Sequence, residues 1–446
     1  LLVIGLAVTI RTLAVCFTPS AFDTDPDAYR AIAETLSGSG IFGLTSPEGI
    51  PRPIAFRPPL YPWALSWCVF DGRLSQNAVA TFHVLLAALT ACFVFGTTVR
   101  LVEAFSPSSG PATANRLGVV AAVLTAIDPI LLRQSTEVMT ETLAATLSAA
   151  VIWLWCKREE GVSRRNAFAI DAALGTSLAL AYLCRPTFLV WAVLLIVAAV
   201  VRMPNRRCLI SAAIIASIVA VAVAGWTVRN VRTFGHPIWA TTHGGYTLLL
   251  ANNDSFYRYL SHGQFGKPWD ADPFLNAFQH RYEGDPRQAA FWRRDWVGKP
   301  NYEGGVSEYE DDRLCYESAV ATIKRQPKQF GWSVVVRVAR LWAPFPHDVP
   351  GRSKTSTVMV GCFYLLIDAA VIVAVIRYRR MVFGRRWWAI WLLAVTLTGV
   401  HAVYWSNQRM RAPAIPAIMI LASLAVAPRK SSDRLDDGGK AGSSLG

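Results

Sequence analysis

The sequence predicts an all-α polytopic membrane protein of about ten transmembrane helices, with juxtamembrane helices in the first outer loop and a mixed extracytoplasmic insertion. Three observations carry that expectation. Apolar residues make up 53% of the 446 and charged residues only 17%, where an ordinary soluble domain carries roughly 25% charged residues. Mean hydropathy is +0.33. The apolar residues also come in runs, at 1–17, 77–102, 117–134, 138–156, 168–183, 187–201, 208–226, 357–376, 387–405 and 412–427, and a helix of about 20 apolar residues spans a bilayer.

Charge orders these runs. Basic residues collect in short loops: Lys157, Arg158, Arg164 and Arg165; Arg202, Arg206 and Arg207; Arg377, Arg379, Arg380, Arg385 and Arg386; Arg429, Lys430 and Arg434. Short basic loops face the cytoplasm. The runs 168–183 and 187–201 are short, but basic loops flank the pair on both sides, so the chain must cross an even number of times between them. Two helices joined at Arg185–Pro186 satisfy that. The division is then 1–226, a transmembrane core whose first outer loop covers about 18–76; 227–356, an extracytoplasmic region; 357–427, the last three spans; and 428–446, a polar cytoplasmic tail expected to be disordered. Asp128 to Glu137 forms a further outer turn. Within 227–356, a helix is expected near Ser307 to Arg325, stopping at Pro327, followed by the amphipathic interfacial segment "FGWSVVVRVARLWAPF". Leu1 to Phe17 reads as a span, since no small-residue cleavage site follows it.

The net charge of +14 is explained by those loops, and with no nucleic-acid motif beside them nucleic acid is excluded as a partner. The eight cysteines lie mostly in apolar runs without a CxxC pair, and the seven histidines form no HxxxH or HxxH pair. No metal site is expected. Asp-x-Asp occurs twice among Asp23, Asp25 and Asp27, a spacing able to hold a divalent cation against phosphate, but the motif is too short to predict one.

Chemistry concentrates at the outer membrane boundary, where charged side chains are costly. "DPDAY" is the pattern of a helix start, with Asp25 as cap and Pro26 first in the helix. Capping alone accounts for one carboxylate, whereas three stand within five residues. Arg52 and Arg57 flank proline-rich corners of the same loop, Arg185 tops a helical hairpin, and Arg409 and Arg411 precede the last span. Each alone fits snorkelling toward headgroups. Together they run against the positive-inside bias and sit beside prolines, a rigid set of planar donors suited to phosphate. Glu137 and Glu141 are four apart at the outer start of a span, where the helix dipole also favours acids. "GGYTLLLANNDSFY" opens the outer region with amides suited to sugar hydroxyls, or simply leaves the membrane; Asn253-Asp-Ser255 matches the glycosylation sequon.

The order of these pieces resembles the GT-C superfamily of multi-spanning glycosyltransferases that use polyprenyl-phosphate sugars, in particular protein O-mannosyltransferases and the aminoarabinose transferase. The resembling segments are "DTDPDAYRAIAETL", "FRPPLYP", "DPILLRQSTEVMTETL", "LALAYLCRPTFLV", "WTVRNVRTFGHPIWATTHGGYTLLLANN" and "RMRAPAIPAIMIL". The resemblance implies a first outer loop folded over the membrane and an aspartate there as general base. The matching position is Asp25, with Asp27 and Asp23 as fallbacks. The second acid that some members carry after the loop arginines is absent from "RPPLYPW", so that role falls to Glu141. The resemblance further implies phosphate binding by Arg57, Arg52, Arg185, Arg409 and Arg411, and sugar or acceptor contacts from Tyr29, Tyr61, Asn252 and Asn253. The partners are then a polyprenyl-phosphate sugar donor, membrane lipid, and a glycan, lipid or protein acceptor. The expected activity is inverting transfer of a sugar to an acceptor hydroxyl on the outer face of the cytoplasmic membrane.

Two other classes share the lipid substrate. A flippase of lipid-linked sugars would place charges deep within its spans and break helices near the midplane, whereas here they gather at the outer boundary, with Asp171 the main exception. A lipid-linked glycan polymerase or ligase shares the donor and is not separated by sequence.

Overall fold

The computed structural model describes residues 2–18, 22–105, 110–160, 164–201, 206–263, 267–300, 306–347 and 352–428. The tail expected to be disordered, and the basic residues Arg202, Arg429, Lys430 and Arg434, lie outside these.

Every apolar run becomes a helix. Among the described residues, six helical segments are long and apolar enough to cross a membrane: Gln76–Phe105, Asn166–Cys184, Arg206–Phe234, Lys354–Arg377, Arg385–Val403 and Gln408–Val426. Leu2–Phe17 and Phe188–Val201 are shorter apolar helices, and Gly110–Ala126 and Glu141–Arg158 complete the bundle. Two helices do meet at Arg185–Pro186, as charge parity required. The protein is a multi-pass, all-α membrane protein, with two short β-hairpins as its only described sheet.

Glu141–Arg158 is the central helix, with almost its whole length buried. It is rich in alanine and in small hydroxyl residues. Thr146 hydrogen-bonds Thr90 across the interface at 2.8 Å, and Ser148 donates to the Pro413 carbonyl at 2.6 Å. Such small polar pairs let helices approach where water no longer drives packing. Gly118 serves the same end, since a Cβ there would stand 2.8 Å from the Phe95 ring.

The segments that charge assigns to the cytoplasm meet one another. Arg100 pairs with Glu160 at 2.5 Å, Trp155 donates to the Arg385 carbonyl at 2.9 Å and Cys156 lies 3.4 Å from the Arg386 carbonyl. Asp171, the apparent exception, is ion-paired to Arg158 at 3.1 Å.

The segments assigned to the outside meet as well. The first loop consists of the helices Tyr29–Ser39 and Leu60–Ser66 and the paired strands Gly43–Thr45 with Pro51–Pro53 and Val69–Phe70 with Arg73–Leu74. Arg229 grips this loop through the carbonyls of Ile54 (2.7 Å) and Phe42 (2.9 Å). Glu308 accepts from the Ala55 amide and the Thr242 hydroxyl, both at 2.9 Å. Helix Glu308–Arg325 opens with a capping box of Ser307 and Glu310 and ends where Pro327 begins the next helix. That next helix, Pro327–Trp342, presents Trp332 and Val335 outward but turns Arg337 inward. The Arg337 guanidinium holds the carbonyls of Ala251 (2.7 Å) and Ala402 (2.9 Å), so this helix is also a clamp on the bundle.

Candidate active site

Four separated segments supply one charged constellation. The first begins at Asp25, whose carboxylate accepts the amides of Arg30 (3.2 Å) and Ala31 (3.1 Å). It caps the helix, as its sequence setting suggests, although the helix starts at Tyr29 and not at Pro26. Between them Ala28 adopts the left-handed conformation, φ 58° and ψ 21°, which L-residues avoid. That kink sits between Asp27 and Tyr29. Asp27 meets Arg57 at 2.6 Å, and the Arg57 Nε also donates to the Asp27 carbonyl at 2.9 Å. The Arg57 guanidinium lies 5.6 Å from the Tyr29 ring centre and 5.1 Å from that of Phe56. Tyr29 packs edge-on against Tyr61 at 5.2 Å.

The other three segments converge on Glu141, which is 1% exposed at the start of the central helix. Arg409, from the turn Gln408–Ala414, stands 3.2 Å from its carboxylate, and Arg185, from the hairpin corner, 3.9 Å away. Neither carboxylate oxygen of Glu141 makes a hydrogen bond, nor do Arg185 Nη1 or Arg409 Nε. Buried polar atoms normally find hydrogen-bond partners; here Glu141 has its two ion pairs and no hydrogen bond. Asp27, Glu141, Arg57 and Arg185 all act electrostatically on Tyr29, and Arg409 feels both acids. Three guanidinium groups against two carboxylates leave a positive charge unbalanced. Burial raises the Tyr29 and Tyr61 phenols, with Arg57 pulling Tyr29 the other way, so both keep their protons.

The remaining candidates stand elsewhere. Arg411 is buried two residues from Arg409, its guanidinium 4.0 Å from the Tyr364 ring centre and donating to the Ala343 carbonyl at 3.0 Å. Tyr364 in turn donates to Asp128 at 2.8 Å. Arg52 is exposed on the strand Pro51–Pro53, near Glu48. Asp23 accepts from Gln76, so the three loop carboxylates point to three different partners and do not converge as cation ligands. Among the described residues no group of three or more His, Cys, Asp or Glu side chains is placed to hold a metal ion. Asn252 and Asn253 are fully buried and spend their amides on protein: Asn252 bridges the Leu248 and Val403 carbonyls, and Asn253 caps the helix Asp254–His262. Asn253 is thus out of reach as a glycosylation site.

Two histidines were not singled out by sequence. His83, inside a span, links the Tyr61 hydroxyl (2.9 Å) to the Ser135 carbonyl (2.9 Å), fixing Tyr61 beneath Tyr29. His243 lies beside Phe56 and Tyr246, and burial, with Arg57 nearby, lowers its pKa to about 3. It is a neutral wall of the site. Neither histidine has a spaced partner that a motif would flag.

No family model and no curated protein matches the chain. Solved structures do. The Archaeoglobus fulgidus oligosaccharyltransferase in its apo form aligns at TM-score 0.51 and 15% identity, over 98% of this chain and 50% of that one. The chain shares the fold of that transferase. The Archaeoglobus fulgidus oligosaccharyltransferase AglB in complex with an inhibitory peptide and a dolichol-phosphate follows at 0.49 and 15%, again over 98% and 50%. ArnT from Cupriavidus metallidurans bound to undecaprenyl phosphate gives 0.39 and 15%, over 96% and 77%. The chain spans about half the length of the oligosaccharyltransferases it matches.

Proposed function

We propose that this chain is a membrane glycosyltransferase that moves a sugar from a polyprenyl-phosphate carrier to an acceptor hydroxyl on the outer face of the cytoplasmic membrane. The observation that carries the reading is the junction where Arg185 and Arg409 meet the buried Glu141 carboxylate without a hydrogen bond, beside the Arg57–Asp27 pair. An excess positive charge walled by aromatic rings at the end of an apolar bundle suits a phosphate whose tail lies in lipid. Planar guanidinium groups bind it with paired donors. The fold adds support, since it is shared with an oligosaccharyltransferase.

The sugar phosphate already carries its leaving group. A carboxylate takes the acceptor proton, the acceptor oxygen attacks the anomeric carbon, and the bond to the phosphate oxygen breaks with inversion. The departing anion is received by the arginines, a preorganised charge of the kind that lowers such barriers. Asp27 is the better placed base. Asp25, the position matched by the resemblance, spends its oxygens on the helix start, and we assign it the positioning of Asp27 and Tyr29. Glu141 keeps Arg185 and Arg409 spaced until phosphate enters.

The test uses purified protein, a labelled polyprenyl-phosphate sugar and a mixed membrane-glycan acceptor fraction. Transfer is expected from the wild type and lost in Asp27→Asn, while Asp25→Asn, which keeps an acceptor oxygen for the cap, retains more. Loss in Asp25→Asn alone would move the base to Asp25. Movement of the lipid across the bilayer without product would replace the enzyme by a flippase.

A further inference from the structure

The outer region holds a cavity of about 640 Å³ that none of the candidate active-site residues lines. Its size falls in the range of about 300–1,000 Å³ usual for small-ligand sites. Trp269, Trp292, Trp296 and Tyr259 form its aromatic walls. The three indole N–H groups are already committed, to Ser255 Oγ (3.4 Å), the Pro286 carbonyl (2.6 Å) and the Phe291 carbonyl (2.9 Å). Trp292 and Trp296 are themselves nearly buried, stacked on Phe274 and His280, so the flat ring surface left to offer is that of the half-buried Trp269 and Tyr259. Around them stand acceptors and donors in near balance: Asp270, Asp272 and Asp295 against Arg258, Lys267, Arg293 and Arg294, with the Asn276 amide supplying both.

This pairing of flat carbon surface with mixed hydrogen-bonding groups discriminates between ligands. A phosphate or polyanion would meet three carboxylates among the four cations, a lining with a single net positive charge to offer it. An apolar chain would strand the polar rim. A sugar presents C–H faces to an aromatic ring and hydroxyls, each donor and acceptor, to the edges. We infer that this cavity is a binding site for a neutral saccharide. Its floor is continuous with the active-site turn: the Trp269 ring lies 5.6 Å from that of Trp405, four residues before Arg409. The role we give it, holding the glycan part of the acceptor, rests on the transfer reading above; the binding itself does not.

Binding is measured without donor, by saturation-transfer NMR on the intact protein in nanodiscs, with mannotriose, maltotriose and chitotriose as probes. Saturable binding of at least one is expected, weakened tenfold or more by Asn276→Ala and by Trp269→Ala. Because Trp269 also packs on Phe256 at 5.1 Å, the exposed Asn276 keeps the test valid if Trp269→Ala misfolds. Arg409→Ala should leave saccharide binding intact even where transfer is abolished. The inference is overturned if no trisaccharide binds, if binding ignores both cavity variants, or if a pentapeptide library binds there instead. Intact binding with no transfer from any donor would leave the site standing and remove the transferase reading.

Discussion

Asp254 and Glu141 are both carboxylates buried where the bundle meets the outer region, 5% and 1% exposed, and their surroundings differ completely. Asp254 receives Arg325 at 2.8 Å and Gln326 at 2.7 Å. Its neighbours Asn252 and Asn253 are equally well served, with Tyr257 and Arg337 donating to Asn252 at 2.9 Å and 3.2 Å. Glu141 faces two arginines and bonds neither. Burial of polar groups is common to both junctions. What separates them is satisfaction: one network is complete in hydrogen bonds, while the other is held by ion pairs alone, as the proposed phosphate site requires. The asparagines that looked like sugar contacts belong to the finished kind.

The largest effects should expose that difference directly. Arg409→Ala removes a cation that the proposed mechanism assigns to the leaving phosphate, and losing one preorganised donor typically costs about 10²–10³ in rate. Transfer should fall by about that factor in a single-turnover assay with the labelled donor. Glu141→Gln should also cut transfer, by about 100-fold, since Arg185 and Arg409 lose the charge that spaces them. Yet its folding stability should fall by less than the roughly 3–5 kcal/mol of a hydrogen-bonded buried pair, because the amide keeps the shape and only the ion pairs to Arg409 and Arg185 are lost. A large loss of thermal stability in Glu141→Gln would make the junction structural and erase the contrast.

The finished junction should behave in reverse. Asp254→Ala strands Arg325 and Gln326, and breaking a buried pair costs about 3–5 kcal/mol; with Arg325 part-exposed the lower end is expected. The midpoint of denaturant unfolding should drop accordingly, while the protein that remains folded transfers at a near-normal rate. Selective loss of activity at full stability would instead put Asp254 in the site.

Much of this was legible in the chain, for identifiable reasons. Apolar runs must become helices in lipid, since the backbone has no other partner there, so the bundle and the Arg185–Pro186 hairpin followed from composition and charge. The convergence of Arg57, Arg185, Arg409 and Glu141 could be suspected because arginines at an outer boundary run against the positive-inside bias. Sequence could not tell Arg409 from Arg411, two residues apart, because which side of the Gln408–Ala414 turn meets Glu141 depends on how Tyr364 and Ala343 capture Arg411. Nor could it tell which carboxylate of "DTDPDAY" caps and which pairs: the left-handed Ala28 delays the helix and hands Asp27, not Asp25, to Arg57. The cavity proposed for a saccharide left no motif, its walls being drawn from residues 255 to 296.

That same Ala28 gives a smaller test of how the loop side of the active site is held. A left-handed L-residue costs about 1–2 kcal/mol, and glycine lacks the penalty though it loses more chain entropy. Ala28→Gly should therefore raise stability by up to about 1 kcal/mol, read from the unfolding midpoint. If the kink serves to present Asp27 and Tyr29, transfer should not rise with it; the freer backbone should lower the rate a few-fold at unchanged donor KM.

The smallest effect is a pH slope in the wall that carries His243 and Gly245. Asp312 accepts the Gly245 amide at 2.6 Å, and Gly245 must be glycine because a Cβ would strike the Asp312 carbonyl. Burial raises the Asp312 pKa from 3.8 to about 6. Folding therefore favours its protonated form, and this contribution is present below 3.8 and lost as pH rises through about 6. The thermal midpoint should carry a downward component across that window, and Asp312→Asn, which keeps an acceptor for Gly245, should flatten it. A slope unchanged in Asp312→Asn would assign it to another acid, Glu308 first, since burial raises that group too. In that case the loop would be anchored through Ala55 and Thr242, and the first outer loop, not the Gly-Gly turn, would be the pH-sensitive side of the site.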